Sequence, residues 1–272
     1  MATMPTPLAL ITGASSGIGA VFARKLAARS YDLLLVARRG DRLSALADEL
    51  HHTHTIRAEI LAADLATEAG IESTAAHIAA EDRLVLLVNN AGFGTTGRFW
   101  ETSIAGQKAM HEVHVMATLR LTHAALQNMV PRNHGAIINV SSASAFVRGI
   151  GTVSYGATKT WMNTFTEGVY LELKGIGSHV QVQALCPGFT YTEFHDVQGV
   201  DRKLIPARWW MSADEVVEAS LAGLHAGKLF VVPGLRYRLF AAIFPKLPVG
   251  LRLAIELRDR SYRGMMMDSG KR

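Results

Sequence analysis

Between residues 8 and 232 the chain keeps returning to one pattern: a short, mostly apolar run, a turn, then a stretch whose apolar residues recur at helical spacing. The runs fall at residues 8–11, 33–37, 56–61, 84–88, 136–140, 180–185 and 230–232, and the helical stretches include two long ones, 104–129 and 154–174. A strand buried on both faces has no polar side to show, so such runs fit parallel strands covered by helices above and below. Parallel neighbours need a crossover, which the intervening helices supply. The pattern therefore predicts an α/β fold, a doubly wound parallel sheet of about seven strands between two helical layers, with ligands at the carboxyl ends of the strands. No linker or repeat interrupts residues 1–233, which are read as one domain. With 272 residues, 49% of them hydrophobic and 19% charged, the chain can build one large core and lacks a disordered composition.

The first turn reads Thr12-Gly13-Ala14-Ser15-Ser16-Gly17-Ile18-Gly19 and leads into the first helix. A helix N-terminus offers unpaired N–H groups and a partial positive charge, and glycines remove the Cβ atoms that would hold a pyrophosphate away from the backbone. Gly13, Ser15, Ser16, Gly17, Ile18 and Gly19 are therefore candidate dinucleotide contacts. The second run ends in Ala37-Arg38-Arg39. A carboxylate there would bind ribose hydroxyls and repel a 2′-phosphate, whereas guanidinium groups hold that phosphate with charge-assisted, often bidentate bonds. Arg38 and Arg39 predict NADP(H) over NAD(H). Asp64 and Leu65 follow the third run, where they can meet an adenine amino group, and Asn90, Ala91 and Gly92 follow the fourth, where they can hold the sheet edge beside the cofactor. Tyr155 and Lys159 lie about one helical turn apart on a shared face. An ammonium beside a phenol favours the phenolate and brings its pKa down from about 10 toward the working range, which suits an acid/base.

Six marks occur in order: Thr12-Gly13-x-x-x-Gly17-Ile18-Gly19, Asp64-Leu65, Asn89-Asn90-Ala91-Gly92, Asn139-Val140-Ser141-Ser142, Tyr155-x-x-x-Lys159 and Pro187-Gly188. With them the chain resembles the short-chain dehydrogenase/reductase family over about residues 6–232. The resemblance implies a Rossmann-type fold and hydride transfer between a nicotinamide cofactor and a carbonyl or alcohol. It also implies a catalytic Ser 13 residues before the Tyr, which is Ser142 rather than Ser141. In that scheme Tyr155 gives a proton to the substrate oxygen, Ser142 holds that oxygen, and Lys159 lowers the Tyr155 pKa and binds the nicotinamide ribose. Residues 187–192 resemble the family's nicotinamide-amide clamp, which makes Pro187, Gly188, Thr190 and Thr192 cofactor contacts, Thr190 foremost. The family usually places an Asn after a Val on the long helix that follows the fourth strand, to hold a water that feeds protons to the Lys; here Val113 is followed by His114. Either His114 replaces the Asn as relay, which its near-neutral titration permits, or it packs.

Residues 191–211 lack strong periodicity and end at the capping-box sequence Ser212-Ala213-Asp214-Glu215, as a substrate lid would. Phe194, Leu204, Ile205, Trp209 and Trp210 are candidate lining residues together with Phe93 and Phe146, which points to an apolar substrate. Residues 234–272 read as an extension rather than an independent domain, with two short helices at 235–244 and 249–257 broken by Pro245 and Pro248. The formal charge is +5, yet from residue 229 onward nine basic residues face three acidic ones, so the body is about neutral. A basic footprint confined to an apolar tail argues against nucleic acid and fits a peripheral membrane contact, or packing within the protein or oligomer in which Leu239, Phe240, Ile243 and Phe244 form a flap over a neighbouring subunit or the pocket. The longest apolar run there, residues 239–244, is far below the ~20 residues of a spanning helix. The single Cys186 permits no internal disulfide and the first ten residues lack a signal peptide's apolar run, so a cytoplasmic location is expected, with membrane association through the extension as the alternative. The functional expectation is an NADP(H)-dependent oxidoreductase for an apolar carbonyl or secondary alcohol, without a metal, as a homo-oligomer (dimer or tetramer). The alternative is a nucleotide-binding sensor or membrane-associated partner with impaired turnover, supported by His114 and the basic extension, whereas the intact Ser142, Tyr155 and Lys159 favour the enzyme.

Overall fold

The computed structural model describes residues 6–197 and 202–258. β1 (Leu8–Thr12) is buried at every position, and its residues alternate between two cores: Ala9 and Ile11 on one face of the sheet, Leu8 and Leu10 on the other. β2 (Asp32–Ala37) divides the same way, Leu33 and Leu35 against Leu34 and Val36. The runs show no polar alternation because neither face meets water. With β3 (Ala58–Ala62), β4 (Leu84–Asn89), β5 (Ala136–Val140), β6 (Gln181–Leu185) and β7 (Phe230–Val231) they form one sheet in the order β3-β2-β1-β4-β5-β6-β7, every pairing parallel. The chain reverses its direction of travel between β1 and β4, and a crevice opens outside the carboxyl ends there. β3 begins at Ala58, two residues later than the sequence pattern suggests, and as an edge strand it leaves Glu59 and Ile60 exposed.

The helices are α1 (Gly17–Ala27), α2 (Gly40–Thr53), α3 (Glu68–Ala80), α4 (Ile104–His111), α5 (Thr118–Arg132), α6 (Val153–Gly175), α7 (Glu193–Val197), α8 (Ala213–His225), α9 (Leu235–Ile243) and α10 (Val249–Arg258). α1, α2 and α8 cover the first face of the sheet; α3, α5 and α6 cover the second. Phe22 and Leu26 of α1 and Leu121 of α5 are almost wholly buried, and each such side chain contributes about 1.5–3 kcal/mol by leaving water. α8 starts where its capping box predicts: Ser212 Oγ accepts from Glu215 N at 3.1 Å while the Glu215 carboxylate accepts from Ser212 N at 2.8 Å.

The stretch 104–129 is not one continuous helix. α4 and α5 are joined by a six-residue π turn, Glu112–Ala117, that carries His114. The wider turn inserts one residue without breaking the rod, and it shifts the apolar period beyond it by a single position.

Buried polar side chains fix how the second helical layer sits. Asn89 Nδ2 donates to Thr122 Oγ1 of α5 (3.1 Å) and to Asn139 Oδ1 (2.9 Å), and Asn139 Nδ2 donates to Thr166 Oγ1 of α6 (2.9 Å). Nearer the carboxyl edge, Ser141 Oγ donates to Lys159 O (3.0 Å) and Lys159 Nζ donates to Val140 O (2.8 Å). These bonds set the rotation of α6 that brings Tyr155 and Lys159 to the crevice.

Candidate active site

The turn after β1 has the geometry a phosphate cradle needs. Gly13 and Gly17 hold φ at 66° and 56°, left-handed backbone that other residues rarely adopt. A Cβ on Gly19 would stand 2.3 Å from Gly13 O, so the turn folds back on α1 only with glycine there. The end of β4 holds the turn in place: Thr12 Oγ1 accepts from Asn90 N and Ala91 N at 2.9 Å each, and Asn90 Nδ2 donates to Thr12 O at 2.9 Å. α1 has no acidic residue in its first turn, and its N-cap residue Ser16 makes no side-chain capping bond to the helix N–H groups. These features fit the pyrophosphate of a dinucleotide.

Arg39 lies across the same turn. Its guanidinium donates to Ser15 Oγ (3.1 Å) and Ser16 Oγ (2.9 Å) and pairs with Glu193 (3.1 Å), which also pairs with Arg42 (2.7 Å). Arg42 first and Arg39 second hold the Glu193 carboxyl below its ordinary pKa. Arg38 is exposed at the rim. A 2′-phosphate placed beside Ser15 would therefore meet a fixed guanidinium, which fits NADP(H). Asp64 Oδ1 accepts from Ala66 N at 3.0 Å and turns the chain into α3, with Leu65 buried beneath.

At the other end of the crevice Ser142, Tyr155 and Lys159 converge. Ser142 Oγ accepts from Ser144 N at 3.0 Å, which leaves its own proton to donate. Lys159 Nζ lies 5.8 Å from the centre of the Tyr155 ring. Burial pushes the Lys159 ammonium down to about 7 from its ordinary value near 10.5. His114 is wholly buried, its ring 5.7 Å from that of Tyr155 and edge-on to it. Its tautomer follows from its neighbour. Thr158 Oγ1 donates its one proton to Tyr155 O (2.8 Å), so toward His114 Nδ1 (2.9 Å) it can only accept, and Nδ1 carries the proton. Nε2 is then a bare acceptor, buried and without a hydrogen-bond partner among the described residues. Burial first, then the charge of Lys159, holds the ring well below its ordinary pKa and therefore neutral. A Cβ on Gly92 would stand 2.7 Å from Nε2, so the glycine is what admits the imidazole.

One cavity of about 730 Å³ joins the two ends. Every residue that the sequence singles out for cofactor or catalysis borders it except Gly19, which lies under the turn, and His114, which lies behind Gly92. Thr190 Oγ1 donates to Gly188 O at 3.0 Å, and Thr192 packs over Gly17. Phe93, Phe194, Ile205 and Trp209 line the wall as the sequence suggests, whereas Phe146 and Trp210 do not. Trp210 is instead buried against Phe189, Tyr191 and His195, and Val147 takes the place foreseen for Phe146. Residues 198–201 and the side chain of Leu204, also assigned to the lid, lie outside the described residues, as do Arg260, Arg263, Lys271 and Arg272 of the basic tail. Phe189, His195, Tyr237 and Ile255 line the cavity without having been singled out in the sequence, and Phe240 and Phe244 line it in keeping with the pocket-covering alternative for the extension. Burial holds His195 down to about 4, so it is a neutral wall residue. The helical spacing of Tyr237, Phe240 and Phe244 was the available signal. Tyr237 lays its ring on Gly188, where a Cβ would come within 1.9 Å of it; its hydroxyl accepts from Phe189 N (3.0 Å) and donates to Trp209 O (2.7 Å).

No cluster of three or more His, Cys, Asp or Glu among the described residues could hold a metal ion. The family profile described as short chain dehydrogenase matches residues 7–202. A 3-oxoacyl-[acyl-carrier-protein] reductase of Aquifex aeolicus is 28% identical over 220 residues, 79% of this chain and 88% of that protein. A short-chain dehydrogenase from Sphingobium yanoikuyae in complex with NADPH is 35% identical and superposes with a TM-score of 0.81, over 93% of this chain and 96% of that one. The bulky-bulky ketone specific alcohol dehydrogenase of Comamonas testosteroni is 29% identical with a TM-score of 0.75, over 97% and 95%. The profile match covers most of the chain and the superpositions extend over nearly all of it, so the chain belongs to the short-chain dehydrogenase family.

Proposed function

We propose that this oxidoreductase reduces bulky apolar ketones with NADPH, or oxidises the matching secondary alcohols with NADP, using Tyr155 as acid/base. The observation that carries the reading is the aromatic-walled cavity of about 730 Å³ that holds Ser142, Tyr155 and Lys159 at one end and the glycine turn with Arg39 at the other. The Sphingobium relative's NADPH and the Comamonas relative's bulky ketones agree with it. Gly13, Ser15, Ser16, Gly17, Ile18 and Arg39 would hold the adenosine and phosphate end, with Arg38, Asp64, Leu65, Asn90, Ala91 and Gly92 around it and Pro187, Gly188, Thr190 and Thr192 toward the reactive end. When bound, NADPH supplies the hydride that the carbonyl carbon accepts. Ser142 donates a hydrogen bond to the substrate oxygen, and Tyr155 gives that oxygen its proton. The Lys159 ammonium makes Tyr155 a stronger acid. The walls from Phe93, Phe194, Trp209 and Phe240 exclude water and favour apolar substituents.

His114 is the relay that restores the Tyr155 proton. Its bare Nε2 can hold a water where the family's Asn usually does, and its neutral ring keeps that acceptor available at working pH. A reducing compartment suits the buried, unpaired Cys186. A homo-oligomer is supported by the apolar surface that Met116, Leu119 and Leu171 leave exposed on the α5 and α6 side.

Wild-type protein is expected to oxidise NADPH in the presence of bulky hydrophobic ketones, and Tyr155→Phe to bind NADPH equally well while losing at least ~10²-fold in kcat. Absence of turnover across a ketone panel despite tight NADPH binding would favour the sensor reading. In the same assay Arg39→Ala is expected to raise KM for NADPH at least tenfold and leave KM for NADH nearly unchanged, since a charge-assisted pair contributes about 1.5–3 kcal/mol. Steady-state kcat for ketone reduction should fall about 10²-fold in His114→Phe, which fills the space without an acceptor, and recover in His114→Asn. Equal rates in all three proteins would leave His114 a packing residue only. Lys159 also makes stability depend on pH: the unfolded chain keeps this proton up to about 10.5 and the folded protein releases it near 7, so the unfolded state holds more protons in between and stability rises with pH. Lys159→Met should therefore raise the melting temperature of the cofactor-free protein at pH 7, by a margin that shrinks as pH approaches 10. Light scattering should give a mass above that of one chain, and a monomer would refute the oligomer.

A further inference from the structure

We propose that α9 and α10 form a docking face for the surface of an anionic lipid bilayer. Their inner side belongs to the protein: Tyr237 is clamped between Phe189 and Trp209, Phe240 and Phe244 stack at 4.8 Å and line the cavity, and Glu256 accepts from Arg148 N at 2.7 Å. Their outer side is apolar and unburied. Leu235, Leu239, Ile243, Val249, Leu253 and Leu257 are between 47% and 63% exposed, and no residue of α10 is buried. So many large apolar side chains exposed on two successive short helices mark a surface where something docks.

Charge identifies the occupant. The two helices and the short turn between them carry Arg236, Arg238, Lys246, Arg252 and Arg258 against one carboxylate, Glu256, which is turned inward onto Arg148. The sequence beyond Arg258 adds Arg260, Arg263, Lys271 and Arg272 against Asp259 and Asp268. A second copy on this face would set cations against cations, whereas lipid phosphates complement them. No helix among the described residues is long and apolar enough to cross a membrane. Two helices of nine and ten residues, apolar outward with basic residues interspersed, suit a position in the interfacial plane. Ile255 both lines the cavity and is 43% exposed, so the docked face borders the cavity wall. An apolar ketone dissolved in the lipid would then enter beside α10, a consequence that rests on the carbonyl-reductase reading, whereas the docking does not.

The test is co-sedimentation of the full-length protein with vesicles of phosphatidylcholine alone or mixed with phosphatidylglycerol. Protein should pellet with the mixed vesicles and stay soluble with the neutral ones. The bound fraction should fall as salt rises from about 0.1 M to about 1 M, which shortens the screening length from about 10 Å to about 3 Å. Arg238→Glu with Lys246→Glu should weaken partitioning at least 25-fold, about fivefold for each cation lost. Leu239→Ser with Leu253→Ser should abolish it while circular dichroism, NADPH binding and solution mass stay as in wild type. Equal soluble fractions with and without vesicles, or equal binding to both vesicle types, would overturn the proposal. So would a fall in solution mass in the leucine variant, which would assign the face to a second copy of the chain.

Discussion

The chain of buried amides and hydroxyls from Thr122 through Asn89 and Asn139 to Thr166 is what the catalytic half of the molecule depends on. Apolar packing alone would let α5 and α6 slide or rotate over β4 and β5 at little cost, because one aliphatic contact is much like the next. A hydrogen bond inside the core is directional, and a donor left unpaired there costs about 1–3 kcal/mol. Together with the bonds from Ser141 and Lys159 to the backbone, the chain gives α6 a single register. Tyr155, one turn before Lys159, inherits its position from that register.

Electrostatically, the reactive end is quiet. His114 and His195 are held neutral by burial, and burial pushes the Cys186 thiol up to about 12, which makes it inert near neutral pH. Burial brings the Lys159 ammonium down to about 7, close to neutrality. An ammonium close to its own midpoint responds strongly to any charge brought into the cavity. The protonation state behind Tyr155 is thereby tied to what the crevice contains.

Much of this was legible in the sequence for a plain reason. Strands buried on both faces must be apolar throughout, as β1 and β2 are, and a turn that approaches a phosphate must shed its Cβ atoms, as Gly13, Gly17 and Gly19 do. Such constraints act on consecutive residues and leave a local trace. The π turn at His114 left little, because one added residue shifts the apolar pattern by a single position, within the scatter of a helical face. The roof of the cavity left only the helical spacing of its aromatics, since Tyr237 meets Gly188 across 49 positions of chain and the ring's fit is decided by a missing Cβ on a distant loop. Trp210 and Phe146 misled because an aromatic near a pocket can equally well pack beneath the wall, and for Trp210 the stack on Tyr191 decided it.

Arg39 and Arg42 connect the two halves of the site. They form the cationic rim at the end of β2, and both hold Glu193, the first residue of α7 and of the helical part of the lid. The carboxylate stands where a phosphate group would also be stabilised, and it shares Arg39 with Ser15 and Ser16 of the glycine turn. An anion arriving at Arg39 competes for the guanidinium with Glu193 or bridges to it through Arg42, and in both cases the contacts that fix the start of α7 change. Under the proposed function, recognition of the cofactor's 2′-phosphate and the position of α7, which packs Phe194 against Tyr155, become one electrostatic problem that falls to the same two arginines.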